Sequence, residues 1–284
     1  MMAKRSRVRR RRWSDAALYL AFAFITLFFV FPVFWVFSMS LKSVPELFAT
    51  PPIWFSTDPQ WENYAFVLRN TPITGYLLNS AIIVFFTVLL TLAVAVCAAY
   101  GFSRFRFHFK KPSLMAILVF QMISPVVIAI PLYRFFVGLG LLNNYASLIT
   151  VYVAAFLPFT VWFLKGYFDT IPYELDEAAI VDGCTRMQLL WRVLLPVSLP
   201  GIVSAGILVG VLSWSQFVIP FILLDDRDLY PVSVGLVNLR DSADAVTLHY
   251  LSAASIIAIA PVIAVFVLMQ RYIVSALTAG AVKG

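Results

Sequence analysis

Six separate stretches of this chain, residues 16–41, 76–103, 112–133, 146–164, 193–224 and 250–270, contain no Asp, Glu, Lys or Arg at all. Each is about as long as, or longer than, the roughly 20 residues that a helix needs to cross a bilayer's hydrocarbon. A soluble core cannot hide six such segments, and the composition agrees: 62% of residues are hydrophobic, only 12% are charged, and the mean hydropathy is +0.90. None of the runs shows the in–out alternation of a barrel strand, and backbone groups cannot stay unpaired in lipid. The sequence therefore predicts an all-α integral membrane protein with six transmembrane helices.

Charge then orients the helices. The net charge of +7 could suggest nucleic acid, but seven of the 21 Lys and Arg lie within residues 4–12, directly before the first apolar run. That placement is a cytoplasmic topology anchor, and no nucleic-acid partner is expected. With the N-terminus inside, 16 Lys and Arg fall on the cytoplasmic side, including Arg104, Arg106, Lys110 and Lys111 in one loop. Five fall on the other side: Lys42, Arg69, Arg134, Arg227 and Arg240. Both termini are expected inside. The apolar stretch after the basic start is about twice the length of a signal-peptide core, so it should remain as the first membrane helix.

The expected organisation is a basic cytoplasmic tail over residues 1–15, a six-helix membrane domain over 16–274 and a cytoplasmic C-terminal tail over 275–284. Tyr19, Tyr76, Tyr100, Tyr133, Trp162, Tyr250 and Tyr272 fall near predicted helix ends, where interfacial aromatics belong. Cys97 and Cys184 lie on segments with no reason to pair, and His108 and His249 stand alone, so neither a disulfide nor a metal site is expected. Pro125, Pro131, Pro158, Pro196, Pro200, Pro220 and Pro261 are expected to kink their helices.

One long loop between apolar runs, residues 165–192, looks built rather than merely connecting. Thr170 is placed to cap a short helix, Pro172 suits its first turn, and Glu174, Asp176 and Glu177 put negative charge at its N-terminus. Gly183 offers the stop. Leu175, Ala178 and Ala179 are expected on one face, with the acids and Tyr173 pointing elsewhere. So short a helix is unstable alone in water. Its acidic polar face argues against lying on a membrane surface, so a protein partner is expected to pack on it.

Glu177-Ala178-Ala179, then Asp182-Gly183, with Pro196 and Pro200 opening the fifth run, resemble the EAA loop of ABC importer permeases. Further likeness points to the carbohydrate-uptake branch and the MalG-like maltose permeases in particular. It is carried by Ser40-Leu41-Lys42 with Trp61-Glu62-Asn63-Tyr64, by Ala99-Tyr100-Gly101-Phe102-Ser103-Arg104-Phe105, by Leu157-Pro158-Phe159 and by the ending from Leu277 to Gly284. The resemblance implies the type I importer permease fold in a bacterial cytoplasmic membrane. It also implies a coupling helix, with Glu174, Glu177, Ala178, Ala179, Asp182 and Gly183 at the contact with an ATP-binding subunit. The implied partners are a second, MalF-like permease subunit, a homodimeric ATP-binding subunit that carries ATP and Mg, and an extracytoplasmic solute-binding protein. The C-terminal tail is implied to reach toward the nucleotide-binding dimer.

This chain has no Gly-x-x-x-x-Gly-Lys-Ser/Thr loop, so it is expected to hydrolyse no ATP itself and to bind no cofactor. A secondary transporter is the rival reading, but such machines use intramembrane carboxylates or an equivalent ion site, and the six runs contain no acidic residue. A membrane-embedded enzyme would need a nucleophile–base set that is missing here. For the solute path the candidates are Asn79, Gln121, Trp214 and Gln216, each of which has a plain alternative as packing or helix glue. On a regular helix Trp214 and Gln216 would point about 200° apart. Gln216 is the one expected toward the cavity. Relatives in the family often carry an acid near this position, where Trp214-Ser215-Gln216 has none. A sugar or oligosaccharide is the expected solute, with a polyol or glycerol phosphate derivative as the alternative.

Overall fold

The computed structural model describes residues 2–241 and 248–281, with side chains over 18–239 and 248–271. The basic side chains of residues 4–12, residues 242–247, the Tyr272 side chain and the end of the 275–284 tail lie outside the described residues. All regular structure among the described residues is helical: α1 (Met2–Ser40), α2 (Val44–Leu47), α3 (Glu62–Asn70), α4 (Ile73–Arg104), α5 (Lys110–Gln121), α6 (Pro125–Gly138) and α7 (Tyr145–Phe168). Then follow α8 (Glu174–Val181), α9 (Arg186–Leu189), a π-turn at Leu190–Leu194, α10 (Leu195–Val197), α11 (Leu199–Trp214), α12 (Val218–Leu223), α13 (Val232–Asp241) and α14 (Leu248–Ala281).

Four of the six apolar runs form single helices that could each cross a membrane: Leu18–Ser40, Ile73–Arg104, Tyr145–Phe168 and Leu248–Arg271. The other two are broken, which the run lengths did not reveal. The run over 112–133 is split into α5 and α6 at an 89° bend. Ser124 caps α6, and Pro125 occupies its first turn. Proline has no N–H to continue the preceding helix and disfavours helical geometry in the residue before it, so α5 ends there. The run over 193–224 bends by 78° between Val197 and Leu199 and stops again after Trp214. Pro196 and Pro200 flank the first of these breaks, where the π-turn and the Ser198 hydroxyl, bonded to Leu194 O at 2.6 Å, absorb the disturbed ladder.

The chain divides into two compact units. The first comprises Met1–Thr71 with Leu239–Ala258. Within it the exit of α1 is tied to the following segment by polar contacts: Ser40 Oγ lies 2.6 Å from the Tyr64 hydroxyl, and the Asn63 amide donates to Ser40 O at 2.9 Å. Lys42, although charged, is buried and stacks over the Trp35 ring. Burial there is tolerable because a cation on an indole face keeps part of its electrostatic stabilisation. The residues of the Ser40-Leu41-Lys42 and Trp61-Glu62-Asn63-Tyr64 motifs are thus joined in one structural knot.

The second unit, Pro72–Asn238 with Ile259–Gly284, is built on α4 packed along α7, with α11 against both. Small side chains make the close approach feasible: Ala95, Ala99 and Ala205 are fully buried, and Gly201 lies under the Tyr167 ring so tightly that a Cβ there would sit 2.5 Å from it. One core cluster gathers Tyr100, Leu164, Phe168, Leu189, Leu190 and Leu194 with these alanines. A second gathers Ile83, Leu148, Tyr152, Val209, Ile219 and Leu223. Tyr76 and Tyr100, read from sequence as interfacial aromatics, are buried instead: Tyr76 packs its ring against Gly235, and the Tyr100 hydroxyl donates to Arg186 O at 3.3 Å. Position near a helix end does not tell which way a ring faces, and here both rings face protein.

Candidate functional site

The 165–192 loop begins where α7 ends. Asp169, Thr170 and Ile171 fold back onto the last turn of α7, with Asp169 N bonded to Lys165 O at 3.0 Å and Ile171 N to Phe168 O at 3.1 Å. Thr170, expected to cap the loop helix, donates its hydroxyl to Tyr167 O at 2.7 Å and so finishes α7 instead. α8 consequently starts later than expected, at Glu174, with Tyr173 in the N-cap position and no side-chain cap, and Pro172 stands outside its first turn. Glu174, Asp176 and Glu177 do occupy that first turn, where negative charge offsets the unpaired N–H groups.

The C-terminus of α8 follows the sequence reading closely. Gly183 has φ +86°, the left-handed region that side chains disfavour. With that residue turned, Gly183 N donates to Ile180 O at 3.0 Å and Cys184 N to Ala179 O at 2.9 Å. This pair of bonds is a Schellman motif and satisfies the last carbonyls of the helix. Thr185 then opens α9 with a reciprocal capping box to Gln188.

The faces of α8 differ from expectation. Ala179 is buried, but its inward companion is Asp176, whereas Leu175 and Ala178 face outward. The cause is Arg104, at the C-terminus of α4. Its Nε lies 2.6 Å from Asp176 Oδ2 as a close ion pair, and the two side chains are only 2% and 7% exposed. The same guanidinium donates from Nη1 to Phe168 O at 3.1 Å and from Nη2 to Ile171 O at 3.2 Å. It also stacks over the Tyr173 ring, whose hydroxyl donates to Ser103 O at 3.1 Å. Ser103 Oγ in turn donates to Asp169 Oδ1 at 2.7 Å, and Lys165 pairs with the other oxygen of Asp169. In the sequence Arg104 counts as a topology charge and as one residue of the Ala99–Phe105 motif, and Asp176 as an N-terminal acid. Their separation of 72 residues left no local signal of the pair.

What α8 leaves outside is a compact surface. Glu174, Leu175, Glu177, Ala178, Ile180, Val181, Asp182 and Gly183 are all exposed, Val181 to 86%. Nearby Met187 and Trp191 on the following turns are exposed as well. A mixed acidic and apolar face on an eight-residue helix, anchored from behind, is suited to contact with another protein.

The four candidate solute-path residues do not converge on one cavity. Asn79 uses its amide on the loop after α12, donating to Asp228 O at 2.7 Å and Tyr230 O at 3.0 Å. Gln121 lies exposed at the end of α5, beside the bend. The helix does break between Trp214 and Gln216, as α11 stops at Trp214 and α12 starts at Val218. Trp214 lines an open apolar groove of about 510 Å³ between α4, α11 and α14, together with Val84, Val88, Gly206, Gly210 and Pro261. Gln216 is half-buried outside that groove, and its carbonyl accepts from Ser233 Oγ at 2.7 Å.

Comparison with known proteins accounts for this architecture. Residues 92–279, which include Arg104, α8 and the break after Trp214, match the family described as binding-protein-dependent transport system inner membrane component. The probable ABC transporter permease protein YurM of Bacillus subtilis (strain 168) is 34% identical over 278 residues, spanning 97% of this chain and 91% of its own. The trehalose/maltose transport system permease protein MalG of Thermococcus litoralis is 32% identical over 257 residues, spanning 90% and 92%. In fold, the chain matches a component of a bacterial ABC transporter involved in the import of the acidic polysaccharide alginate. The TM-score is 0.79 over 92% of this chain and 96% of that one, at 22% identity. The fold is thus that of the type I ABC importer permeases, and the chain belongs to the binding-protein-dependent transport system inner membrane component family: a multi-pass, membrane-embedded permease subunit rather than a catalytic one.

Proposed function

We propose that this chain is the permease subunit through which ATP hydrolysis on a separate subunit drives uptake of a sugar or oligosaccharide. The observation that carries the reading is the two-sided α8: its inner side is pinned by Arg104 while Leu175, Ala178, Ile180 and Val181 face outward without cover from the described residues. In this assignment Glu174, Glu177, Ala178, Asp182 and Gly183 lie at the contact with the ATP-binding subunit, with Ala179 packed behind them. That subunit, present as two copies, binds ATP and Mg, because this chain has no phosphate-cradling loop. A second permease chain completes the membrane core, and an extracytoplasmic binding protein delivers the solute. The names of relatives such as the trehalose/maltose permease support a carbohydrate.

Each bent helix pair counts as one span in this reading, which gives six crossings between residues 16 and 274. The excess of Lys and Arg on one side then places the tails over 1–15 and 275–284 in the cytoplasm of a bacterial cell. The solute path runs beside the break at residues 215–217, with Trp214 and Gln216 nearest; Asn79 and Gln121, which meet neither of them in one cavity of this chain, border it only where the second permease chain completes the wall. Broken helices supply free backbone groups to a polar solute only where they line a cavity.

The test is Val181→Cys in a background lacking Cys97 and Cys184, coexpressed with its partner permease and ATP-binding subunits in membrane vesicles. A bifunctional thiol reagent should join position 181 to the ATP-binding subunit, in a yield that changes with nucleotide. Failure to cross-link in vesicles that transport normally would overturn the coupling assignment.

A further inference from the structure

The buried cation at the base of the loop has more contacts than an anchor of topology needs. Arg104 terminates α4, yet its guanidinium reaches Phe168 O at the end of α7, Ile171 O in the turn and both carboxylate oxygens of Asp176 in α8. Those groups belong to three successive pieces of chain, and one rigid planar fork holds all of them. A lysine could not, since it presents a point charge on a flexible stem. Phe168 O, which also accepts from Ile171 N, lies at the C-terminus of α7, where a cation is favoured. Tyr173 closes the assembly from the solvent side by stacking on the guanidinium and bonding to Ser103 O.

We propose that Arg104 is a positioning residue which makes α8 and the C-terminal ends of α4 and α7 move as one rigid body. Resting on the coupling role assigned above to α8, the inference is that a push or pull on its outer face reaches two membrane helices at once. The direct chain connection, residues 169–173, leads only to α7. α4 also packs along α7 and bonds to Asp169 and Arg186 through Ser103 and Tyr100, but its side-chain link to α8 itself is the Arg104–Asp176 pair, with the Tyr173–Ser103 bond beside the N-cap. Without the clamp, α8 could shift relative to the end of α4, and less solute would be transported per ATP hydrolysed.

The experiment uses the assembled transporter in proteoliposomes with its binding protein and carries Arg104→Lys or Asp176→Asn. Spin labels at exposed positions 181 on α8 and 94 on α4, with Cys97 and Cys184 removed, report the distance between the two helices. The clamp predicts a narrow distance distribution in the parent, a distribution at least about twice as broad in both variants, and solute transported per ATP hydrolysed reduced by about fivefold or more. Arg104→Lys keeps the positive charge, so a purely electrostatic or topological role would leave both readouts at the parental level. Parental distances and coupling ratio in Arg104→Lys overturn the proposal. If either variant does not assemble, Asp176→Glu, which keeps the charge but lengthens the arm by one methylene, carries the test. A broadened distance with a lowered ratio supports the clamp, and unchanged values overturn it. Cross-linking of position 181 to the ATP-binding subunit in the parent distinguishes failure of the clamp from failure of the coupling assignment itself.

Discussion

The chain passes from one helix to the next through a short connection at two places that look alike in sequence and differ in substance: between α7 and α8, and between α5 and α6. Both follow an apolar segment, and both have a proline close by, Pro172 in the connection itself and Pro125 as the first residue of the helix after it. At the first, Ser103, Arg104, Lys165, Asp169, Tyr173 and Asp176 form a continuous network that ties three helices together. At the second, the side-chain bond at the bend is local, from Val126 N to Ser124 Oγ at 3.4 Å, and the residues from Leu118 to Ser124 are exposed. A proline can set the direction of a chain, but rigidity comes from side chains brought in from elsewhere. The pinned turn is suited to transmitting force, and the open one to being covered by lipid or by a partner chain.

The largest effect that would sharpen this contrast is at Arg104. Replacing it with Ala leaves Asp176 buried without its partner, and breaking one side of a buried pair costs about 3–5 kcal/mol. Thermal unfolding of the detergent-solubilised complex should show that loss. A change below about 1 kcal/mol would mean that water reaches the pair and that the two turns are equally soft.

An intermediate effect is expected at Gly183→Leu. Its φ of +86° forces a bulky side chain into the left-handed region, at a cost of about 1–2 kcal/mol, and the Schellman bonds to Ala179 and Ile180 weaken. Because α8 remains held by Arg104, the complex should still assemble, while solute-stimulated ATPase activity in liposomes should fall. Normal stimulation in a fully assembled complex would contradict a role for the end of α8 in coupling.

The smallest effect belongs to the open bend. Ser124→Ala removes a cap whose typical value is about 1 kcal/mol, and the long, exposed bond places this one near the low end of the range, about 0.5 kcal/mol. The same unfolding measurement applies, and transport should be unchanged. A loss as large as that of Arg104→Ala would show that the α5–α6 bend is also held from elsewhere, and the contrast between the two turns would fail.

The sequence alone determined whatever depends on neighbours along the chain. Charge-free runs long enough to span hydrocarbon specified membrane helices, acids in one turn and Gly183 after it specified the limits of a short loop helix to within a few residues, and the Glu177-Ala178-Ala179 pattern specified the family. These are signals of composition, period and backbone sterics, which act locally. Only the tertiary structure decided which face of α8 turns inward, because that follows from Arg104, 72 residues before Asp176. It likewise decided that Asn79 ties down the loop at Asp228 and Tyr230, and that Tyr76 and Tyr100 face protein rather than an interface. A polar or aromatic residue in an apolar run has the same local sequence signal whether it meets solute, lipid or a distant carbonyl. The choice is made by whichever unsatisfied group the fold brings within about 3 Å of it.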